Sequence, residues 1–199
     1  MSDAIIIENI GGAVVLRFNR PEIKNPLSVE TLEKLDEIFD VWQSNRNVEK
    51  IIFTGSGDTF ASGANLNEIA QINTAEEARE FARRGQNLMR KIYQSKKMTV
   101  AAIDGFCMGG ALDLAVSCRK RIASPRSTFA HPGVKLGIMT GWSGTQMLPR
   151  LIGEARALEM FLTAKRIDAR EALRINLINE ISDKPLKFSL ANYDGETSS

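Results

Sequence analysis

Short apolar runs rich in β-branched residues alternate along this chain with segments of helical period, and that alternation restricts it to a mixed α/β core with helices packed on sheets. Residues 4 to 10 and 13 to 18 are two such runs separated by Gly11-Gly12, which predicts a hairpin with a tight turn. Asn19-Arg20-Pro21 ends the second run. Ser28 is placed to cap a helix carrying Leu32, Leu35, Phe39 and Trp42 on one face, and Lys50 to Thr54 reads as a buried strand. Thr74 to Glu77 has the capping-box pattern, followed by Ala78, Phe81, Leu88, Met89 and Ile92 at helical spacing. Thr99 to Ile103 is a strand, then come a helix near 109 to 117, strands near 119 to 123 and 127 to 130, and a glycine-rich loop from 133 to 144. Two further helices are expected around 154 to 164 and 168 to 175, the second capped by Asp168 with Glu171 three residues on. Residues 1 to 182 therefore read as one core. Residues 183 to 199 read as a polar tail without period, expected to be poorly ordered.

Composition narrows the function classes. With 199 residues and 43% hydrophobic composition the chain can bury one sizeable core. The 26 basic and 24 acidic side chains are mixed along it, so it lacks the polycationic surface that nucleic-acid binding requires. Cys107 and Cys118 are too few for a disulfide framework and lack companions at zinc-ligand spacing, which fits a reducing cytoplasm and no metal. No apolar run approaches the roughly 18 residues of a membrane span.

The chemistry begins at Phe106-Cys107-Met108-Gly109-Gly110-Ala111-Leu112-Asp113-Leu114. Two glycines turn the chain from a strand into an apolar helix, with a carboxylate just inside. Amides at a helix N-terminus have no intrahelical acceptor, so a pocket formed there can hold developing negative charge on a carbonyl oxygen. Gly110, lacking a side chain, would permit close approach of that oxygen. A second glycine cluster, Gly55-Ser56-Gly57, follows a strand, but Phe60 replaces the third glycine of a dinucleotide fingerprint and no helix opens there.

Three loops taken together, Phe60-Ala61-Ser62-Gly63-Ala64-Asn65-Leu66, Gly105 to Leu114 and Phe129 to Gln146, resemble the crotonase, or enoyl-CoA hydratase/isomerase, superfamily. The resemblance extends from the first hairpin to about residue 182 and includes Asn19-Arg20-Pro21 with Asn25, Gly141-Trp142-Ser143-Gly144-Thr145-Gln146, and Ala169-Arg170-Glu171-Ala172-Leu173. It implies a spiral of ββα turns that binds an acyl-CoA or enoyl-CoA thioester and stabilises its enolate with two backbone amides. The residue-by-residue match assigns those amides to Ser62 and Gly110. It also implies that Ser62, Gly63, Ala64 and Asn65 line the coenzyme A pocket and that Lys24 lies near the phosphates. Coenzyme A enters as part of the substrate, with no tightly bound cofactor, and the family's assemblies are trimers or dimers of trimers.

Two departures from the family pattern stand out. Its hydratases carry two glutamates, and this chain has Asp113 at the first position and Gly133 at the second. The C-terminal helical region that usually closes the acyl pocket is short or missing. Hydration needs water activated at C3 and a proton delivered at C2, and a positioned acid or base supplies about 10² to 10⁴ of the rate. The expectation is an enoyl-CoA hydratase-like enzyme with Asp113 as acid or base; the alternatives are an isomerase or decarboxylase of the same family, or a catalytically silent acyl-CoA-binding protein. His131, the sole histidine, is the candidate to fill the gap at Gly133, against a purely structural role at a strand end. Glu68 follows the first loop and is either a pocket carboxylate or a solvated helix-end residue. Thr140 and Trp142 are expected to shape the acyl pocket.

Overall fold

The computed structural model describes residues 3–193. The hairpin forms as expected: β1 (Ile5–Ile10) pairs antiparallel with β2 (Ala13–Phe18), and Gly11 turns the chain at a φ of 62°. β2 then runs parallel to β4 (Lys50–Gly55), which continues through β7 (Met98–Ile103), β9 (Lys120–Ala123) and β12 (Glu180–Ile181) into a sheet of order β1-β2-β4-β7-β9-β12. A second sheet, β11-β10-β8-β5, is built from β5 (Thr59–Ala61), β8 (Phe106–Met108), β10 (Thr128–Ala130) and β11 (Ile167–Asp168). β4, β7 and β9 of the central sheet each hand the chain to a strand of the second sheet and then to a helix, which is a spiral of ββα turns. A small pair, β3 (Pro26–Leu27) with β6 (Gly63–Ala64), links the first loop to the segment around Lys24.

The helices are α1 (Val29–Ser44), α2 (Leu66–Ile69), α3 (Ala75–Gln94), α4 (Gly110–Ser117), α5 (Gly144–Ile152), α6 (Glu154–Thr163), α7 (Ala169–Arg174) and α8 (Pro185–Ala191). The caps read from the sequence are formed. The Ser28 hydroxyl accepts from the Thr31 amide, Thr74 and Glu77 close a reciprocal capping box, and Asp168 accepts from the Glu171 amide. The central strands are largely apolar because both faces of the sheet are covered. Val14, Leu16 and Phe18, with Ile51 and Phe53, face the main core under the helices, while Ala13, Val15, Ile52, Val100 and Ala102 face the other side.

That other side corrects the reading of the C-terminal segment. Residues 185–191 form α8, whose Leu186, Phe188 and Leu190 pack on the second apolar face of the sheet. Buried Lys50 reaches across from β4 to donate to the carbonyls of Ser189, Leu190 and Asn192 at the C-terminal end of α8, where the helix dipole favours a cation. Residues 194–199 of the expected tail lie outside the described residues. The glycine-rich loop at 133–144 contains a 3-10 turn at Pro132–Leu136, and α5, left unassigned by periodicity, begins at its end.

Candidate active site

The glycine turn is built as its sequence requires. Gly109 has a φ of 53°, its amide donates to the Ala130 carbonyl at 2.9 Å, and its own carbonyl accepts from the amides of Leu112 and Asp113. Gly110 is the first residue of α4, so its amide has no acceptor within the helix and sits at the positive end of the dipole. The absence of a side chain at Gly110 has a packing cause besides the close approach expected from the sequence. A Cβ there would fall inside the ring of Trp142, which also occupies the space that a Cβ on Gly85 of α3 would take. The indole is therefore wedged between two helices at positions kept free by glycine, with Phe81 at a ring distance of 5.8 Å.

In the first loop the structure corrects the assignment of Ser62. Its amide is not free: it donates to the Lys24 carbonyl at 3.0 Å. The cause lies in the opposite segment, where Lys24 and Asn25 both have positive φ, of 64° and 49°, and the resulting bend turns the Lys24 carbonyl toward the loop. The next free amide follows from the ladder between β3 and β6. Gly63 stands opposite Pro26, which has no N–H, so Gly63 must supply both ladder bonds of that pair. The bonding residue of the next pair is then Leu27, which leaves the N–H of its partner Ala64 facing away from β3. Gly63, at a φ of 96°, is also what lets the two loops meet. A Cβ on it would lie 2.6 Å from the Met108 carbonyl oxygen and 3.0 Å from the Gly110 nitrogen. Ala64 was readable in the sequence only through the missing N–H of Pro26.

The remaining residues of this loop have local partners. The Asn65 side chain caps α2 by accepting from the Asn67 amide, and a Glu68 oxygen accepts from the Val29 amide at the start of α1. Glu68 is thus a capping group for a neighbouring helix. The Lys24 ammonium pairs with Asp58 at 2.9 Å, both side chains being half exposed.

Asp113 is fully buried on α4. One carboxylate oxygen, Oδ2, accepts from the Thr140 hydroxyl and from the Ser143 amide at 3.3 Å. The other, Oδ1, has no hydrogen-bond partner and lies 3.4 Å from Nε2 of His131, which has none either. A Cβ on Gly144 would overlap Asp113 Oδ1 and would stand 2.7 Å from Thr140 Cγ2 and 3.1 Å from His131 Cε1, so the cluster closes only around glycine. His131, at the end of β10, is 3% exposed, with the Phe161 ring of α6 at 5.1 Å. Burial pushes its pKa below the ordinary histidine value, with Asp113 acting in the opposite sense.

A pocket of about 680 Å³, including its open mouth, joins these parts. Ala64 and Gly110 lie along it with His131, Thr140, Trp142 and Gly133, and its rim carries the exposed apolar residues Leu66, Leu136 and Met139. The pocket wall includes His131 and Thr140, whereas Asp113 lies behind them. Gly133 belongs to the 3-10 turn, and a Cβ on it would lie 2.6 Å from the Ile138 carbonyl oxygen. Among the described residues there is no group of three or more histidine, cysteine or acidic side chains able to hold a metal, and no helix is long and apolar enough to cross a membrane. Both cysteines are buried, and burial raises the Cys118 thiol to about 12 and that of Cys107 well above its ordinary value, which keeps them unreactive.

Known proteins carry the same frame. Short-chain-enoyl-CoA hydratase of Clostridium acetobutylicum is 38% identical over 178 residues, covering 89% of this chain and 68% of the relative. Crotonyl-CoA hydratase of Syntrophomonas wolfei is 41% identical with the same coverage of 89% and 68%. Among solved structures, an enoyl-CoA hydratase from Bacillus anthracis superposes with a TM-score of 0.88 at 32% identity, over 95% of this chain and 74% of that one. Pseudomonas aeruginosa DspI superposes with a TM-score of 0.90 at 30% identity, over 96% and 73%. The pattern of the enoyl-CoA hydratase/isomerase family matches residues 8–186, which takes in both glycine loops, the Asp113 helix and the 3-10 turn, and by that match the chain belongs to the family.

Proposed function

We propose that this chain is an enoyl-CoA hydratase for short conjugated enoyl thioesters, with the thioester oxygen held between the amides of Ala64 and Gly110. The carrying observation is the close approach of the two loops at Gly63, on either side of which Ala64 and Gly110 line the same pocket. Each such donor aimed at a developing oxyanion is worth about 10² to 10³ in rate. The names of the two relatives support the substrate class. The Lys24 ammonium, exchanging an exposed Asp58 carboxylate for a phosphate, would steady the coenzyme A end at little cost, since exposed ion pairs contribute about 0–1 kcal/mol. Ser62 and Asn65 hold the loop in shape, and no cofactor beyond the substrate's own coenzyme A is called for.

The test is hydration of crotonyl-CoA, followed by loss of the conjugated absorbance, in the wild type and in Ala64→Pro. That substitution removes an N–H that β6 does not use in pairing with β3 and sets a ring carbon in its place, so kcat should fall by about 10² to 10³, with a thermal melt checking that the fold is kept. Unchanged kcat would sink the assignment of Ala64. A second reading, a silent acyl-CoA-binding protein, is favoured by Gly133, where no side chain fits. Calorimetric binding of crotonyl-CoA without turnover would select it.

A further inference from the structure

A hydratase without a carboxylate at position 133, and with the carboxylate of position 113 sealed behind the pocket wall, needs a proton carrier that reaches substrate. We infer that His131 takes the proton from the attacking water and returns it to C2, and that Asp113 serves it as a positioning residue; this rests on the hydratase reading above.

Three observations converge on the pair. His131 lines the acyl pocket, directly before the turn that contains Gly133. Its Nε2 and Asp113 Oδ1 face each other at 3.4 Å, and both are buried without another hydrogen-bond partner. Two buried polar atoms are costly to leave unpaired, so the proton on the ring belongs on Nε2, where it points at the carboxylate. That leaves Nδ1 as the nitrogen for the pocket. Asp113 cannot rotate away, because Thr140 and Ser143 hold its Oδ2 and Gly144 leaves room for nothing larger behind Oδ1. The ring is likewise held by Phe161.

The step balances without any further reactant. The water oxygen bonds to C3 as the C2=C3 π pair moves onto the thioester oxygen, and the water's proton passes to Nδ1 of His131. The imidazolium so formed donates through Nε2 to Asp113 Oδ1, a contact of 3.4 Å that can tighten when the ring is charged. The enolate then collapses, C2 takes the proton from Nδ1, and the neutral ring is restored. One water has been added, and nothing is oxidised or reduced. The charged group facing the ring is Asp113 from α4; Phe161 from α6 and Thr140 and Gly144 around α5 are uncharged.

The experiment compares wild type, His131→Gln and Asp113→Asn. In His131→Gln, kcat for crotonyl-CoA should fall by about 10² to 10⁴ with calorimetric binding of the ester retained. Because His131 is the sole histidine, its Cε1–H resonance reports its titration directly. In Asp113→Asn that midpoint, and with it the acid limb of kcat/KM, should move to lower pH, which an aspartate out of contact with the ring, or a ring that carries no proton in the reaction, would not cause together. A His131→Gln variant that binds the ester and keeps kcat within about threefold overturns the inference. So does an Asp113→Asn variant with an unmoved titration, which decides the matter if His131→Gln fails to bind. Exchange of the C2 protons of butyryl-CoA in D₂O separates this inference from the hydratase reading. If the wild type hydrates nothing, exchange that disappears in His131→Gln still supports the proton role. Absent exchange in the wild type, or exchange unaffected by the substitution, refutes it.

Discussion

A glutamate at position 133, where the resemblance puts the second carboxylate of a hydratase, should not produce a two-carboxylate enzyme. A Cβ at position 133 would lie 2.6 Å from the Ile138 carbonyl oxygen, against about 3.4 Å for an ordinary contact, so the loop must open by about 0.8 Å. That movement works against the bond from the Ile138 amide to the Gly133 carbonyl, now 3.0 Å. Overpacking of this kind costs about 1–3 kcal/mol, and for a domain of this length each kcal/mol lowers Tm by about 2–4 °C. The clash belongs to the Cβ, so Gly133→Ala and Gly133→Glu should lose about the same 2–12 °C in a calorimetric melt. Neither should gain activity on crotonyl-CoA, since the displaced turn carries the pocket wall next to His131. A Gly133→Glu variant with an unchanged Tm and kcat raised by about tenfold or more would refute the reasoning, because position 133 would then tolerate the side chain and place its carboxylate at the reacting carbons.

Gly110→Ala should lower stability by about 1–3 kcal/mol, because the new methyl falls inside the Trp142 ring, and denaturant melts should show Trp142→Leu in the same chain relieving the loss. Asp168→Ala removes the cap on the Glu171 amide and should cost about 1 kcal/mol in urea, with activity unchanged. The pH dependence of stability has a definite sign. His131 binds its proton less readily in the folded chain than its unfolded value of about 6.5, so the unfolded state takes up the proton first. Stability from this group is therefore present above pH about 6.5 and lost as the pH falls through the lowered folded value, and His131→Gln should remove that step from the melting curves.

The fold was legible wherever one local rule governed an element. Gly11-Gly12 gave the hairpin, Ser28, Thr74 and Asp168 gave three helix starts, and the apolar central strands gave a sheet covered on both faces. The failures share a cause, which is dependence on a distant segment. α8 has a short apolar face that means little until the second face of the sheet is there to receive Leu186, Phe188 and Leu190. The amide of Ser62 is consumed by a carbonyl nearly forty positions away, turned toward it by two left-handed residues, so loop sequence alone could not tell Ser62 from Ala64. Gly110 was legible as a helix start, but a second steric reason for glycine there lies out of local reach, since the ring that needs its missing Cβ is Trp142 on another loop. His131 and Asp113 were each visible as candidates, but their opposition at 3.4 Å is a product of β10 ending beside α4.

In the proposed reaction, the electrostatics behind the pocket wall explain how a buried aspartate can coexist with an oxyanion site. Asp113 sits one turn inside the helix whose first amide is to hold the enolate oxygen, so an isolated carboxylate there would oppose the very charge that Gly110 and Ala64 stabilise, and weak screening in the interior would sharpen the conflict. His131 removes it by timing. When the water's proton reaches the ring, a positive charge appears against Asp113 Oδ1 at the moment that negative charge appears on the thioester oxygen. The cluster's net charge is then unchanged through the step, and its dipole lies between the ring and the amides rather than being spread into solvent. Thr140 and Ser143 fix the carboxylate from the opposite side, which keeps Oδ1 available to the imidazolium alone.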